Sequence, residues 1–139
     1  MSYIKYNPNW PLDKFLTLLS QDKILKPPGF PEYDANKDWC GPADRPLLAE
    51  MIPEKLMGVR VGMAGFRHDM GYAMPKRLRP KWAKAQYIWS LLCDQRFRAD
   101  LMTLVKRSSL NKADRKLAKR FAKMYYWAVR LGGWKHCER

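Results

Sequence analysis

"GFRHDMGY", residues 65–72, is the stretch on which the reading of this chain turns. A histidine and an aspartate stand side by side among glycines, a methionine and aromatics. His68 is one of only two histidines, the other being His136. The segment reads as a helix from about 57 to 74, ended by Pro75. On that helix Val61, Gly65, His68 and Tyr72 fall at i, i+4, i+7 and i+11 and share one face. Asp69 is rotated about 100° from His68, so the two neighbours can do different jobs. Gly58, Gly62, Gly65 and Gly71 each cost about 1 kcal/mol against alanine in a helix. The compensation to expect is close approach of another backbone.

The next apolar run predicts a second helix from about 82 to 106. Tyr87, Phe97 and Leu101 mark its apolar stripe, and Asp94 lies on that stripe. A buried carboxylate without a partner costs several kcal/mol or gives up its charge. His68 is the available donor. The basic connector "KRLRPK" (76–81) must climb about 9 Å to bring the two level, and six extended residues reach about 20 Å. An antiparallel pair joining His68 to Asp94 is therefore allowed. On these grounds alone two readings stay open: a core histidine with an incidental partner, or a general base held by a carboxylate. Trp82 and Trp89 read as core residues.

"RSSLN" (107–111) reads as a turn. Asn111 is placed to cap a third helix, with Asp114 three residues on. Ala113, Leu117, Phe121, Met124, Tyr125, Ala128 and Val129 form its apolar stripe, and Gly132-Gly133 ends it. Upstream, Leu12, Phe15, Leu16 and Leu19 have helical spacing. "PPGFPEYDANKDWCGPADRP" (27–46) is turn-rich and reads as a long loop, with Phe30, Tyr33 and Trp39 favouring order. No strand pattern is strong, and there is no internal repeat. The expectation is one mainly α domain over 1–139. Residues 1–37 form an N-terminal extension with a short helix, and 38–134 form the core.

The bulk numbers narrow the partners. The formal charge is +14, from 27 basic and 13 acidic residues in 139. That balance favours an anionic partner: nucleic acid, an anionic membrane or an acidic protein. No window approaches the roughly 18 apolar residues of a membrane span. Cys40, Cys93 and Cys137 form no CxxC pair, and with two distant histidines they make no zinc pattern. They read as reduced thiols. The start has no apolar h-region and no small-residue cleavage site, so synthesis in the cytoplasm without a signal peptide is expected. No histidine precedes His68, which argues against a His-Asp phosphohydrolase.

Four segments, in order, resemble the secreted phospholipase A2 superfamily, and its bacterial branch most. "RHDMGY" resembles the His-Asp-x-x-Tyr helix signature. "CDQRFRADLM" (93–102) resembles the second catalytic helix, with its Asp-x-x-Phe-x-x-Asp pattern. "YYWAVRLGGW" (125–134) resembles the final Tyr-Tyr-x-Ala-Val helix, and "DWCGPADRP" (38–46) the calcium loop. The resemblance covers roughly residues 38–134. It implies two antiparallel catalytic helices with a long Pro-rich metal-binding loop. His68 would be the general base on water, Asp94 its orienting partner, and Tyr72 a hydrogen-bond donor near Asp94. Asp69 and Asp38 would bind Ca2+ through their carboxylates and Trp39 through its carbonyl, with Asp44 the rival of the loop pair. The chain departs from the family in lacking a Gly-rich loop. It has Gly65 where a cysteine would tie the loop down, and "LLAEMIPEKLMG" (47–58), or part of it, looks inserted.

The expected activity is calcium-dependent hydrolysis of the sn-2 acyl ester of glycerophospholipids at an anionic membrane surface, in a protein associated with a virion or released later. The alternative is an inactive fold of the same type serving as a structural or basic binding component. In that role it would bind protein or nucleic acid, for example in a phage particle. The interleaved Trp, Tyr and Arg of 76–107 would suit phosphate contact. Basic helix faces are more often simply solvated, which makes nucleic acid the lesser expectation.

Overall fold

The computed structural model describes residues 3–34 and 55–139. Asp38, Trp39, Cys40 and Asp44 lie outside the described residues, as does most of the expected 27–46 loop. The described chain is mainly helical. In order it runs β1 (Ile4–Lys5), α1 (Leu12–Ser20), β2 (Ile24–Leu25), β3 (Lys55–Leu56), β4 (Val59–Arg60), α2 (Gly62–Ala73), α3 (Gln86–Lys106) and α4 (Lys112–Gly132). Short 3-10 turns sit at Lys76–Leu78, Lys81–Ala83 and Trp134–His136.

Helix α2 starts later than its spacing predicts. Residues 57 and 58 instead make the two-residue turn of a hairpin in which Lys55 pairs with Arg60 and Leu56 with Val59. Both turn residues are left-handed, Met57 at φ 52° and Gly58 at φ 84°, as a turn matching strand twist requires. Gly58 is thus a turn glycine, not a helical one. At the other end Pro75 pushes Met74 to φ −68°, ψ 116°, which stops the helix. A second small pairing is parallel, Ile4 with Ile24 and Lys5 with Leu25, and brackets α1.

Helices α2 and α3 run antiparallel. Arg67 meets Asp100, His68 meets Asp94, and the Trp89 Nε1–H donates to the Gly71 carbonyl at 2.6 Å. The helical glycines suggest close approach of a backbone; at Gly71 the neighbour is instead a side chain, and a Cβ there would lie 2.6 Å from Cys93 Sγ. The Tyr6, Trp10, Phe15 and Ile24 side chains of the N-terminal segment pack with Phe66, Met70, Tyr72 and Met74 of α2 and with Trp89 and Cys93 of α3. Phe30 and Tyr33 stack on Phe66, with ring centroids 5.5 and 5.2 Å away. A second cluster joins Leu56, Val61 and Ala64 to Phe97, Leu101 and Val105 of α3 and to Ala118, Ala122 and Val129 of α4.

Three sequence expectations need correction. Trp89 is fully buried, but Trp82 is exposed: it sits in the 3-10 turn at 81–83, before α3 begins, so the helical phase does not extend to it. Tyr87 is exposed too, in the first turn of α3, where the Arg130 guanidinium lies 5.3 Å from its ring centroid. In α4 the buried line is Ala118, Ala122 and Val129, while Leu117 and Met124 are exposed. Small side chains fill the inner line, Phe121 and Tyr125 pack partly buried at its side, and Leu117 and Met124 are turned outward. The cap reads as expected, with the Asp114 N–H donating to Asn111 Oδ1 at 2.8 Å. Cys93 and Cys137 are both buried.

Gly71→Ala should lower stability by about 1–3 kcal/mol in urea denaturation, because overpacking outweighs the gain in helix propensity. In a Cys93→Ala background the same substitution should be neutral or stabilising. An equal loss in both backgrounds would contradict the close packing at this crossing.

Candidate active site

Asp94 is fully buried at the middle of α3, and three side chains converge on it. Its Oδ1 lies 2.6 Å from His68 Nε2 and accepts the Tyr72 hydroxyl at 2.7 Å. Its Oδ2 accepts Arg130 Nη1 at 2.7 Å. Each partner comes from a regular element: His68 and Tyr72 are one turn apart on α2, and Arg130 is on the last turn of α4. The three residues that sequence reasoning singled out for catalysis, His68, Asp94 and Tyr72, are brought together.

Since the carboxylate accepts, Nε2 is the ring nitrogen that donates, and Nδ1 keeps its lone pair. Nδ1 has no hydrogen-bond partner among the described residues. His68 is nearly buried and packed between aromatics. Its ring centroid is 4.2 Å from that of Tyr72 and 5.0 Å from that of Phe97. The imidazole is therefore fixed in place by packing and in tautomer by Asp94. Chemically the arrangement can hold a proton at Nδ1 and stabilise the resulting imidazolium.

Burial, and then the negative charge of Asp94, push the Tyr72 phenol far above its ordinary range. Tyr72 is therefore a permanent donor at any working pH. Burial opposes the charge on Arg130, but the hydrogen bond and charge of Asp94 outweigh it and hold the guanidinium protonated. Sequence reasoning missed Arg130. The available signal was a basic residue beside Val129, on the flank of a helix that must cover a lone buried aspartate.

A second buried carboxylate, Asp100, is the last aspartate of the Asp-x-x-Phe-x-x-Asp pattern, to which sequence reasoning gave no role of its own. It lies 3.3 Å from Arg67 Nη1 and 3.0 Å from Arg96 Nε. Arg67, itself buried, donates to the Tyr6 hydroxyl at 2.6 Å and the Trp10 carbonyl at 2.8 Å. Its guanidinium also lies 4.5 Å from the Phe15 ring centroid. This network clamps the N-terminal segment onto the residue before His68. At the other end of α2, the buried Arg79 donates to the Met74, Lys84 and Glu138 carbonyls. The Glu138 N–H in turn donates to the Tyr72 carbonyl at 2.8 Å.

Asp69 is half-buried, its position rotated about 100° from His68 around α2. Ca2+ takes about six to eight oxygen ligands. Among the described residues no group of three or more His, Cys, Asp and Glu side chains could hold a metal ion. Asp69 supplies one suitable carboxylate beside the histidine, and Asp38, Trp39 and Asp44 lie outside the described residues. Comparison with family models, with curated proteins and with solved structures finds no match to this chain.

Arg130→Met would leave the Asp94 charge buried and short of its cation. It should cost about 3 kcal/mol or more in urea denaturation, with Arg130→Lys intermediate. A loss near zero would contradict the ion pair. In an alkaline titration Tyr72 and Tyr6, which burial also raises, should stay protonated while the folded state persists. Above about pH 10 the unfolded chain then binds fewer protons than the folded one, so stability should fall with rising pH. Ionisation of all seven tyrosines before unfolding would contradict this.

Proposed function

We propose that this protein is a calcium-dependent phospholipase A2-type hydrolase that cleaves the sn-2 acyl ester of glycerophospholipids. The observation that carries the reading is the His68 Nε2–Asp94 contact of 2.6 Å, with Nδ1 making no hydrogen bond to the described residues. A phospholipase of this type needs a histidine base on water, oriented by a buried aspartate and a tyrosine. The ordered resemblance of four segments to that superfamily supplies the substrate class.

In this reading His68 Nδ1 takes a proton from the attacking water as its oxygen bonds to the ester carbonyl carbon. The imidazolium is stabilised through Nε2 by Asp94. The same proton then passes from Nδ1 to the leaving alkoxide oxygen, giving a lysophospholipid and a fatty acid. Tyr72 and Arg130 keep the carboxylate in place and compensate its charge, so it holds the ring without leaving a naked buried anion. Asp69, with Asp38 and the Trp39 carbonyl (or Asp44), would hold Ca2+. When bound, the ion would supply Lewis-acid stabilisation of the developing oxyanion. An anionic phospholipid surface is the partner, and delivery in a virion or later release fits the same activity.

Hydrolysis of mixed anionic vesicles should require calcium, be abolished by chelator, and fall at least about 100-fold in His68→Ala. Full activity in His68→Ala would contradict the mechanism. No activity from folded wild type, with no calcium binding by calorimetry, would favour the inactive structural or binding role.

A further inference from the structure

Helix α4 buries Ala118, Ala122 and Val129, with Phe121 and Tyr125 partly buried beside them, and leaves a second set of large apolar residues outside. Leu117 is 40% exposed, Met124 59%, Trp127 52% and Leu131 78%. Leu117, Met124 and Leu131 are each seven residues apart, so they form one line along the helix about 21 Å long. Trp127 lies at its border. Beyond Trp127 the outer face is basic: Lys112, Lys116, Lys119, Arg120 and Lys123 are all exposed, and Asp114 is the one acidic residue in α4. A soluble helix rarely leaves such a line in water without a use for it.

We infer that the outer face of α4 docks on an anionic lipid surface, with Leu117, Met124, Trp127 and Leu131 entering the headgroup–acyl boundary and the lysines meeting lipid phosphates. Charge decides the occupant. A second copy of the chain would bring two basic faces together. A nucleic acid would satisfy the cations and leave the aliphatic line in water. An anionic bilayer satisfies both halves, with cations at headgroup level beside buried apolar side chains. Trp127 suits the border, having an apolar body and a polar N–H. The choice of lipid leans on the phospholipase reading, but binding does not require turnover. Arg130, one residue from Leu131, holds Asp94, so the docking face and the site share the last turns of one helix.

The test is co-sedimentation with vesicles of phosphatidylcholine containing 30% phosphatidylglycerol, and with phosphatidylcholine alone, in chelator so that nothing is hydrolysed. Wild type, Met124→Gln/Leu131→Gln and Lys116→Gln/Lys119→Gln/Lys123→Gln are compared, with thermal melts to show that each folds; all five positions are exposed. Wild type should prefer the anionic vesicles and lose binding as salt rises. The apolar pair should weaken binding at least about tenfold. The charge triple should weaken anionic binding about 100-fold and remove the preference. Binding of both variants equal to wild type, or no anionic binding by wild type, would overturn the inference. Wild type run in parallel under calcium separates the two claims: docking without hydrolysis by wild type would sink the catalytic reading alone, while His68→Ala should dock as wild type does. Hydrolysis that survives both α4 variants with unchanged binding would sink the docking face alone.

Discussion

Taking Asp94 out of water is costly, and much of the helix arrangement answers to it. An isolated buried carboxylate would neutralise or unfold its surroundings. Here one oxygen meets an imidazole and a phenol, and the other meets a guanidinium. Those partners lie on α2 and α4, so the carboxylate on α3 fixes the relative placement of all three long helices. A shift of α2 by one turn would remove both His68 and Tyr72. A rotation of α4 would withdraw Arg130. The site is therefore also a structural joint, and its geometry is built from helices rather than loops.

Asp100 repeats the solution two turns along α3, with Arg67 and Arg96 in place of His68 and Tyr72. It draws in the N-terminal segment through Tyr6 and the Trp10 carbonyl. Arg79 and Glu138 do the same for the C-terminal tail at the far end of α2. The helix bearing His68 is thus held by a buried guanidinium near its middle, which donates to Asp100, the Tyr6 hydroxyl and the Trp10 carbonyl, and by another beyond its C-terminal end, which donates to three backbone carbonyls. Buried arginine suits this work, being planar, always charged and rich in donors.

Much of the His68–Asp94–Tyr72 grouping was legible in the sequence because helical spacing is a strict ruler. Positions 61, 65, 68 and 72 had to share a face, and Asp94 on an apolar stripe demanded a donor. The mainly α class and the Asn111 cap were readable for similar local reasons. Partners set by tertiary packing were not. Nothing local says that Arg67, between Phe66 and His68, is buried, nor that Arg130 turns inward while Leu131 turns out. The stripe of α4 was read from helical spacing and was met at Val129, Phe121 and Tyr125, but the inner line runs through Ala118 and Ala122 and leaves Leu117 and Met124 outside. Gly58 was read into a helix because a hairpin turn of two left-handed residues has no periodicity. Asp38 and Trp39 are known only as sequence, and their part in a metal site rests on the resemblance to phospholipases.

The account stands on His68 presenting Nδ1 as a base while Asp94 holds Nε2. The most direct measurement is nitrogen-15 NMR of the His68 ring, assigned by comparison with His136→Gln, at a pH where the imidazoles are neutral. The account predicts a protonated Nε2 with a strongly downfield, slowly exchanging proton, and an unprotonated Nδ1. A proton on Nδ1, or a mixture of tautomers exchanging freely with water, would contradict it.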